Sequence, residues 1–343
     1  MRVTRKDVAR AAGVSTATVS NVINNKSNVS ENVRNRVLEV IEQMDYRPNL
    51  IARSLITNRS YQVAVVLDDI TDPHIAANLA AFQREANAAG YSVNIVVREP
   101  NIKKQFDDLI SRNIEGVFLM ISPGKFSQIP AEQDIASIDI LYQSGVKILT
   151  GFEGFENPNK YSQILADFGG AVADSVAYLA SKGHREIALL NIFPEDYPQD
   201  NRYRCFREAM NVHLHNDNPV VVFGKPPYPG HIDTGEQYTR IALGRCPSIT
   251  AFIGVNDSLS LGCAFYLVNN GYRVPEDISI ISIGDDGISR YFRPALTTMS
   301  LDHEAYGRAA FQMLLSAIES DTVHIATHKL HLVERQTVET ASR

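Results

Sequence analysis

No apolar run in this chain approaches the ~18 residues needed to cross a bilayer, so no membrane span is expected. The N-terminal MRVTRKDVAR is basic, but the apolar segment of a secretory signal does not follow it, which points to a cytoplasmic protein. Cysteine is scarce. Cys205, Cys246 and Cys263 stand far apart with no CxxC pair, which excludes a disulfide framework and a cysteine zinc site and leaves buried free thiols. No two glycines are separated by a single residue, so the GxGxxG turn of dinucleotide enzymes is missing. Gly230 and Gly235 have the spacing of a phosphate loop, but Glu236 stands where that loop needs lysine. A GxSxG nucleophile elbow is also missing. The close histidine pairs, HLH (213–215) and HKLH (328–331), read as exposed polar residues rather than metal ligands. No catalytic residue, metal or cofactor is therefore expected.

What is present is unevenly charged. Residues 1–60 hold ten lysines and arginines against five acids, a charge of +5, and the remainder of the chain carries −11. A small basic head on a larger acidic body fits a nucleic-acid anchor joined to a second module. Thr4 and Asp7 frame the start of a helix that Gly13 ends, with Val8, Ala11 and Ala12 on one face. Ser15 caps a second helix whose Val19, Val22 and Ile23 turn inward. Ser30 caps a third, ENVRNRVLEVIEQM, with Val33, Val37, Leu38, Ile41 and Met44 as its apolar stripe. Once that packing is assigned, the second helix is left with Thr16, Ala17, Thr18, Ser20, Asn21 and Asn24 facing outward. Short hydroxyls suit phosphate oxygens and asparagine can pair with adenine, so this helix reads as the major-groove element of a helix–turn–helix. The segment YRPNLIARSLITNRS (46–60) follows as a short helix too small to stand alone, whose Leu50, Ile51 and Leu55 need a partner surface. A leucine flanked by arginines suits insertion into a minor groove.

From residue 62 short β-branched runs alternate with helical stretches: QVAVVLD, YSVNIVV, EGVFLMI and VKILTG, then SQILAD, EIALLNI, PVVVF, ITAFIGV and ISIISIG. Nearly continuous apolar strands between helices predict buried parallel sheets. FENPNKYS (155–162) divides the strands into two groups, so two Rossmann-like lobes with a cleft between them are expected. Strand ends at Asp68–Asp72, Asp167, Asn256–Asp257 and Asp285–Asp286 would face that cleft. An α/β enzyme and a secreted binding protein with the same bilobed core are the alternatives. The first lacks its motifs, and the second would carry a signal peptide and no basic head.

The run from Val3 to Leu55, VTRKDVARAAG through YRPNLIARSL, resembles the head and hinge of the lactose-repressor (LacI/GalR) family, and the rest of the chain resembles that family's core more loosely. The resemblance implies a head over residues 1–46, a hinge helix over 47–60 and a periplasmic-binding-protein-like core over 61–343. Within the core it places lobe one at about 61–155 and 291–320, and lobe two at about 156–290 and 321–343. The chain would cross between them near 155–162, 290–296 and 316–325. It implies a bacterial repressor acting on the nucleoid, with three partners: a pseudo-palindromic double-stranded DNA operator, a small-molecule effector of the carbohydrate class, and a second copy of itself. Matched by position, Thr16, Ala17 and Asn21 would read bases. Thr4, Ser15, Thr18, Ser20, Asn24 and Ser30 would touch phosphates, and Ala52 and Leu55 would enter the minor groove. In the core the match gives His74, Asp167, Arg202, Asn256 and Asp285 to the effector, with Asp286 an alternative to Asp285.

Overall fold

The computed structural model describes residues 3–23, 28–46, 59–121, 131–151, 160–195, 197, 200–224 and 231–341. The chain divides into two compact units, Met1–Ser60 and Tyr61–Arg343.

In the first unit lie helices α1 (Arg5–Ala12), α2 (Thr16–Ile23) and α3 (Glu31–Gln43). Gly13 takes a left-handed φ of 63°, a conformation that costs glycine no Cβ clash, and the next amide, Val14 N, donates to Ala9 O at 3.0 Å. That turn folds α2 back, and α1 packs on both α2 and α3. The small core they close consists of Val8, Ala9, Ala12, Val19, Val22, Val37 and Tyr46. Two expectations shift here. Serving two neighbours rotates the buried stripe of α1 so that Ala9 is buried and Ala11 exposed, and Leu38, one step round from Val37, is 47% exposed.

The second unit holds two six-stranded sheets. The first contains β1 (Gln62–Leu67), β2 (Ser92–Val97), β3 (Gly116–Met120), β4 (Lys147–Thr150), β5 (Ser162–Ala166) and β11 (Ile325–His328). They run in the order β2-β1-β3-β4-β5-β11, every pair parallel. The second sheet has β6 (Ile187–Leu190), β7 (Val221–Val222), β8 (Ala251–Gly254), β9 (Ser279–Gly284), β10 (Thr297–Ser300) and β12 (His331–Val333). Its order is β7-β6-β8-β9-β10-β12, with β12 alone antiparallel to its neighbour. The central strands are buried along nearly their whole length because helices cover both faces, as continuous apolar runs require. In chain order the covering helices are α4 (Pro73–Ala88), α5 (Ile102–Ser111), α6 (Ala131–Gln143), α7 (Phe168–Ser181), α8 (Arg202–Leu214), α9 (Ile232–Arg245), α10 (Asp257–Asn269) and α11 (His303–Ser320).

Sheet membership moves the expected lobe boundaries. β5, expected to open the second lobe, pairs with β4 and β11 in the first sheet, so the chain crosses near residue 167 rather than 155–162. β10 lies in the second sheet and α11 packs on α4, placing the second crossing at 301–302 rather than 290–296. β11 returns to the first sheet before β12 joins the second, so the third crossing is at 329–330 rather than 316–325. An apolar strand reads alike in either sheet, and only its hydrogen-bonded neighbour assigns it. Of the cysteines, Cys263 is buried as expected, whereas Cys205 and Cys246 are only partly so.

Helices α4 and α11 approach closely around a cluster in which Phe82 meets Phe118 and Phe311, each with ring centroids 5.4 Å apart. Gly307 allows that approach: a Cβ there would stand 2.5 Å from Ala81 Cβ and 2.6 Å from Asn78 O. Backbone atoms cannot yield, so Gly307→Val is expected to cost at least about 1–3 kcal/mol by overpacking. Urea unfolding of the full chain checks this; an unchanged midpoint would show that the two helices separate without cost.

Candidate functional site

In the head, the outward side of α2 carries the residues expected to meet DNA. Thr16 and Ala17 are exposed, and Thr18, Ser20 and Asn21 are half-buried. Ser15 caps the helix: its Oγ accepts from Thr18 N at 3.0 Å and lies 3.0 Å from Thr18 Oγ1. Thr4 N and Oγ1 both donate to Asp7 Oδ2, at 2.9 and 2.6 Å, and these bonds hold the Asp7 carboxyl below its usual range. The Thr4 hydroxyl proton is thus committed within α1, while Ser30 caps α3 without a side-chain bond to it. Asn24, Ala52 and Leu55 lie outside the described residues.

In the core, strand order decides where a ligand can sit. Each sheet reverses its winding beside its first strand, at β1/β3 and at β6/β8, and open α/β sheets bind ligands beyond the carboxyl ends of strands at such points. The loop after β1 leads through Asp72 to His74, and the loop after β6 leads through Phe193 and Asp200 to Arg202. Both converge on Phe168 at the start of α7. The His74 ring lies 5.6 Å from Phe168 of the second lobe and 4.8 Å from His303 of the first. The Arg202 guanidinium lies 4.8 Å from the Phe168 ring and 5.3 Å from Phe193, which stacks on Tyr197 at 4.6 Å. Arg202 Nε is 3.3 Å from Asp200, whose other oxygen accepts from Asn191. Burial first, then His303 and Arg202, push His74 down to about 3, so it is neutral at ordinary pH.

The polar residues at the strand ends divide by role. Asp167 and Asn256, both expected at the effector, are helix N-caps: Asp167 accepts from Gly170 N and Asn256 from Leu259 N, each at 2.8 Å. Asp285 adopts a left-handed φ of 71° and accepts from Arg335 Nη2 at 2.6 Å. Its neighbour Asp286 is 8% exposed, and its Oδ1 has no hydrogen-bond partner among the described residues. Burial, then Asp257, Asp72 and Asp285, raise Asp286 to about 8. Asp257, itself raised by burial, accepts from Ser282 Oγ and Asp286 N. Of the two residues that the resemblance left open, Asp285 is committed to Arg335 and Asp286 is the buried one with an unbonded oxygen among the described residues. Asp72 was legible as a strand-end acid, whereas Phe168, Phe193 and His303 carried no sequence signal of their own, since each joins this region only when distant elements meet.

Residues 4–49 match the family model of bacterial regulatory proteins, lacI family, and residues 176–338 match that of the periplasmic binding protein-like domain. The HTH-type transcriptional repressor PurR of Pasteurella multocida is 30% identical over 346 residues, 98% of each chain. This chain belongs to the lacI family of bacterial regulatory proteins. The PurR of Pectobacterium atrosepticum is 28% identical across 98% of this chain and 96% of its own length. Among solved structures, a lac repressor dimer bound to operator and the anti-inducer ONPF superposes with a TM-score of 0.78 at 24% identity, covering both chains fully. A transcriptional regulator CelR–cellobiose complex superposes at 0.70 with 25% identity, covering 98% of this chain and all of that one. As a member of the family the chain is a DNA-binding transcriptional repressor with a ligand-binding core, and its relatives are regulators rather than enzymes.

The raised Asp286 makes a pH prediction. An acid that keeps its proton to about pH 8 when folded, but ionises near its ordinary 3.8 when unfolded, favours the folded state at low pH and loses that contribution as pH climbs between those values. Asp286→Asn removes the titration, so its melting temperature relative to the wild type should rise from pH 5 to pH 8. An equal difference at both pH values would show that Asp286 ionises normally.

Proposed function

We propose that this repressor binds a pseudo-palindromic operator as a homodimer in the bacterial cytoplasm, on the nucleoid, and that a carbohydrate held between the core lobes sets its operator affinity. The observation that carries this reading is the contact between His74 of one lobe, which packs on His303, and Phe168 of the other, which packs on Arg202. A ligand seated there touches both lobes and biases their closure. Aromatic faces at Phe168, Phe193 and Tyr197 suit a sugar ring, and the Arg202 fork and Asp286 suit its hydroxyls. The CelR neighbour, whose complex holds cellobiose, supports that class. In this reading Asp167 and Asn256 shape the cleft as caps, and Asp285 acts through Arg335. Thr16, Ala17 and Asn21 read bases, while Ser15, Thr18, Ser20 and Ser30 flank them at the phosphates. A second copy is supported by β2, which ends its sheet among the described residues and leaves Ile95 and Val97 42% and 43% exposed. Two heads related by a two-fold axis read the two halves of a palindrome.

Asn21→Ala should cost about 1–3 kcal/mol on the cognate operator and little on random DNA, measured by fluorescence anisotropy at fixed salt. Arg202→Ala should bind that operator normally and ignore the carbohydrate. Equal losses on both DNAs would make Asn21 a backbone contact, and loss of operator binding by Arg202→Ala without ligand would make Arg202 a structural residue.

A further inference from the structure

The chain enters the core through a backbone conformation that few residues adopt. Tyr61, which immediately precedes β1, has a left-handed φ of 55°. A bulky residue takes that conformation only where its surroundings impose it. Here two bonds hold it: Tyr61 N donates to Glu115 Oε1 at 2.8 Å, and Tyr61 O accepts from Ser92 N at 2.9 Å. The second oxygen of Glu115 accepts from the Tyr91 hydroxyl at 3.1 Å. Glu115 is itself fixed, since its N donates to Gln62 O at 2.9 Å and its O accepts from Lys147 N at 3.0 Å. Tyr61, Tyr91 and Glu115 each stand one residue before β1, β2 and β3, which are neighbours in the first sheet. One carboxyl group thus ties together the amino ends of three parallel strands, on the side of the sheet opposite the cleft.

Aromatic rings carry this clamp inward. The Tyr61 ring lies 5.6 Å from Tyr91, and Tyr91 lies 5.8 Å from Phe311 on α11. Phe311 meets Phe82 on α4, and these are the two helices whose first turns hold His303 and His74. The turn at Tyr61 is therefore anchored in the same packed helix pair that borders the cleft.

We propose, resting on the operator reading above, that Glu115 is a positioning residue for DNA binding. With Tyr91 it holds the left-handed turn at Tyr61, and that turn aims the segment before it so that the two heads of a dimer reach both half-sites together. Specific binding needs the two half-sites engaged at a fixed spacing, whereas electrostatic binding to random DNA does not. The clamp accordingly acts on sequence preference.

The test uses the full-length protein, the palindromic duplex that the wild type selects from a random library, and a scrambled duplex of equal length, with affinities read by fluorescence anisotropy at fixed salt. Glu115→Ala removes both side-chain bonds and should weaken binding to the selected duplex at least about tenfold, with the scrambled duplex bound as before. Asparagine takes a left-handed φ more readily than tyrosine, so on a Tyr61→Asn background the same change should cost less than about threefold. A role in stability alone would not produce that rescue. Tyr91→Phe removes one hydroxyl and keeps the rings, so it should show a smaller loss of the same preference, and it decides the matter if Glu115→Ala does not fold. An unchanged preference, an equal loss on both duplexes, or an undiminished loss on the Tyr61→Asn background overturns the inference and leaves the operator reading standing. A wild type that selects no duplex removes the operator reading, and the inference with it.

Discussion

Two sheets whose strands are apolar on both faces can be buried only beneath helices, and this constraint organises the rest of the core. Parallel strands joined through covering helices all end on one side. Loops that need polar residues and helix caps gather there, with Asp72, Asp167, Asn256 and Asp302 each opening a helix. Because the chain passes three times between the sheets, neither lobe is a separate segment of sequence. A ligand at the shared edge therefore acts on both halves at once. His74 and Arg202 follow directly from this architecture: each sits after the first strand of its sheet, where the winding reverses.

Polar groups at that edge are held by one another before any ligand arrives. Asp200 links Asn191, the backbone of Arg202 and its guanidinium, and Arg335 reaches from beyond β12 to both Leu296 O and Asp285. The C-terminal segment is thereby tied to the loop after β9. Thr337 strengthens the tie, accepting from Thr297 N and donating to Ile280 O. Such bonds fix side chains in advance, so less ordering remains for binding to accomplish. Asp286 stands apart from this network, with one carboxyl oxygen buried and unbonded among the described residues.

Much of this was legible in the sequence because it depends on local pattern. Helical spacing and capping residues located all three helices of the head, and alternating β-branched runs located the strands. What local pattern misses is neighbourhood. The strand Ser162–Ala166 gives no sign of which sheet accepts it, and Leu38 looks as buried as Val37 until the positions of α1 and α2 are known. Adjacent acids are the sharpest case. Asp285 and Asp286 are indistinguishable as letters, and only the fold, with a positive φ at Asp285, gives one a bond to Arg335 and leaves the other buried with an unbonded oxygen among the described residues. Asp167 and Asn256 carry the reverse lesson: a polar residue at a strand end serves the next helix as readily as a ligand.

The central claim is that cleft and head share one free energy, and thermodynamic reciprocity tests it most directly. If the sugar changes operator affinity by some factor, the operator must change sugar affinity by the same factor, typically about 5–150-fold. The measurement is titration calorimetry of the full-length protein with the carbohydrate effector proposed above, in the presence and absence of saturating operator, set against operator affinity with and without that ligand. The account predicts two equal ratios, both different from one. Sugar affinity unmoved by the operator would contradict it.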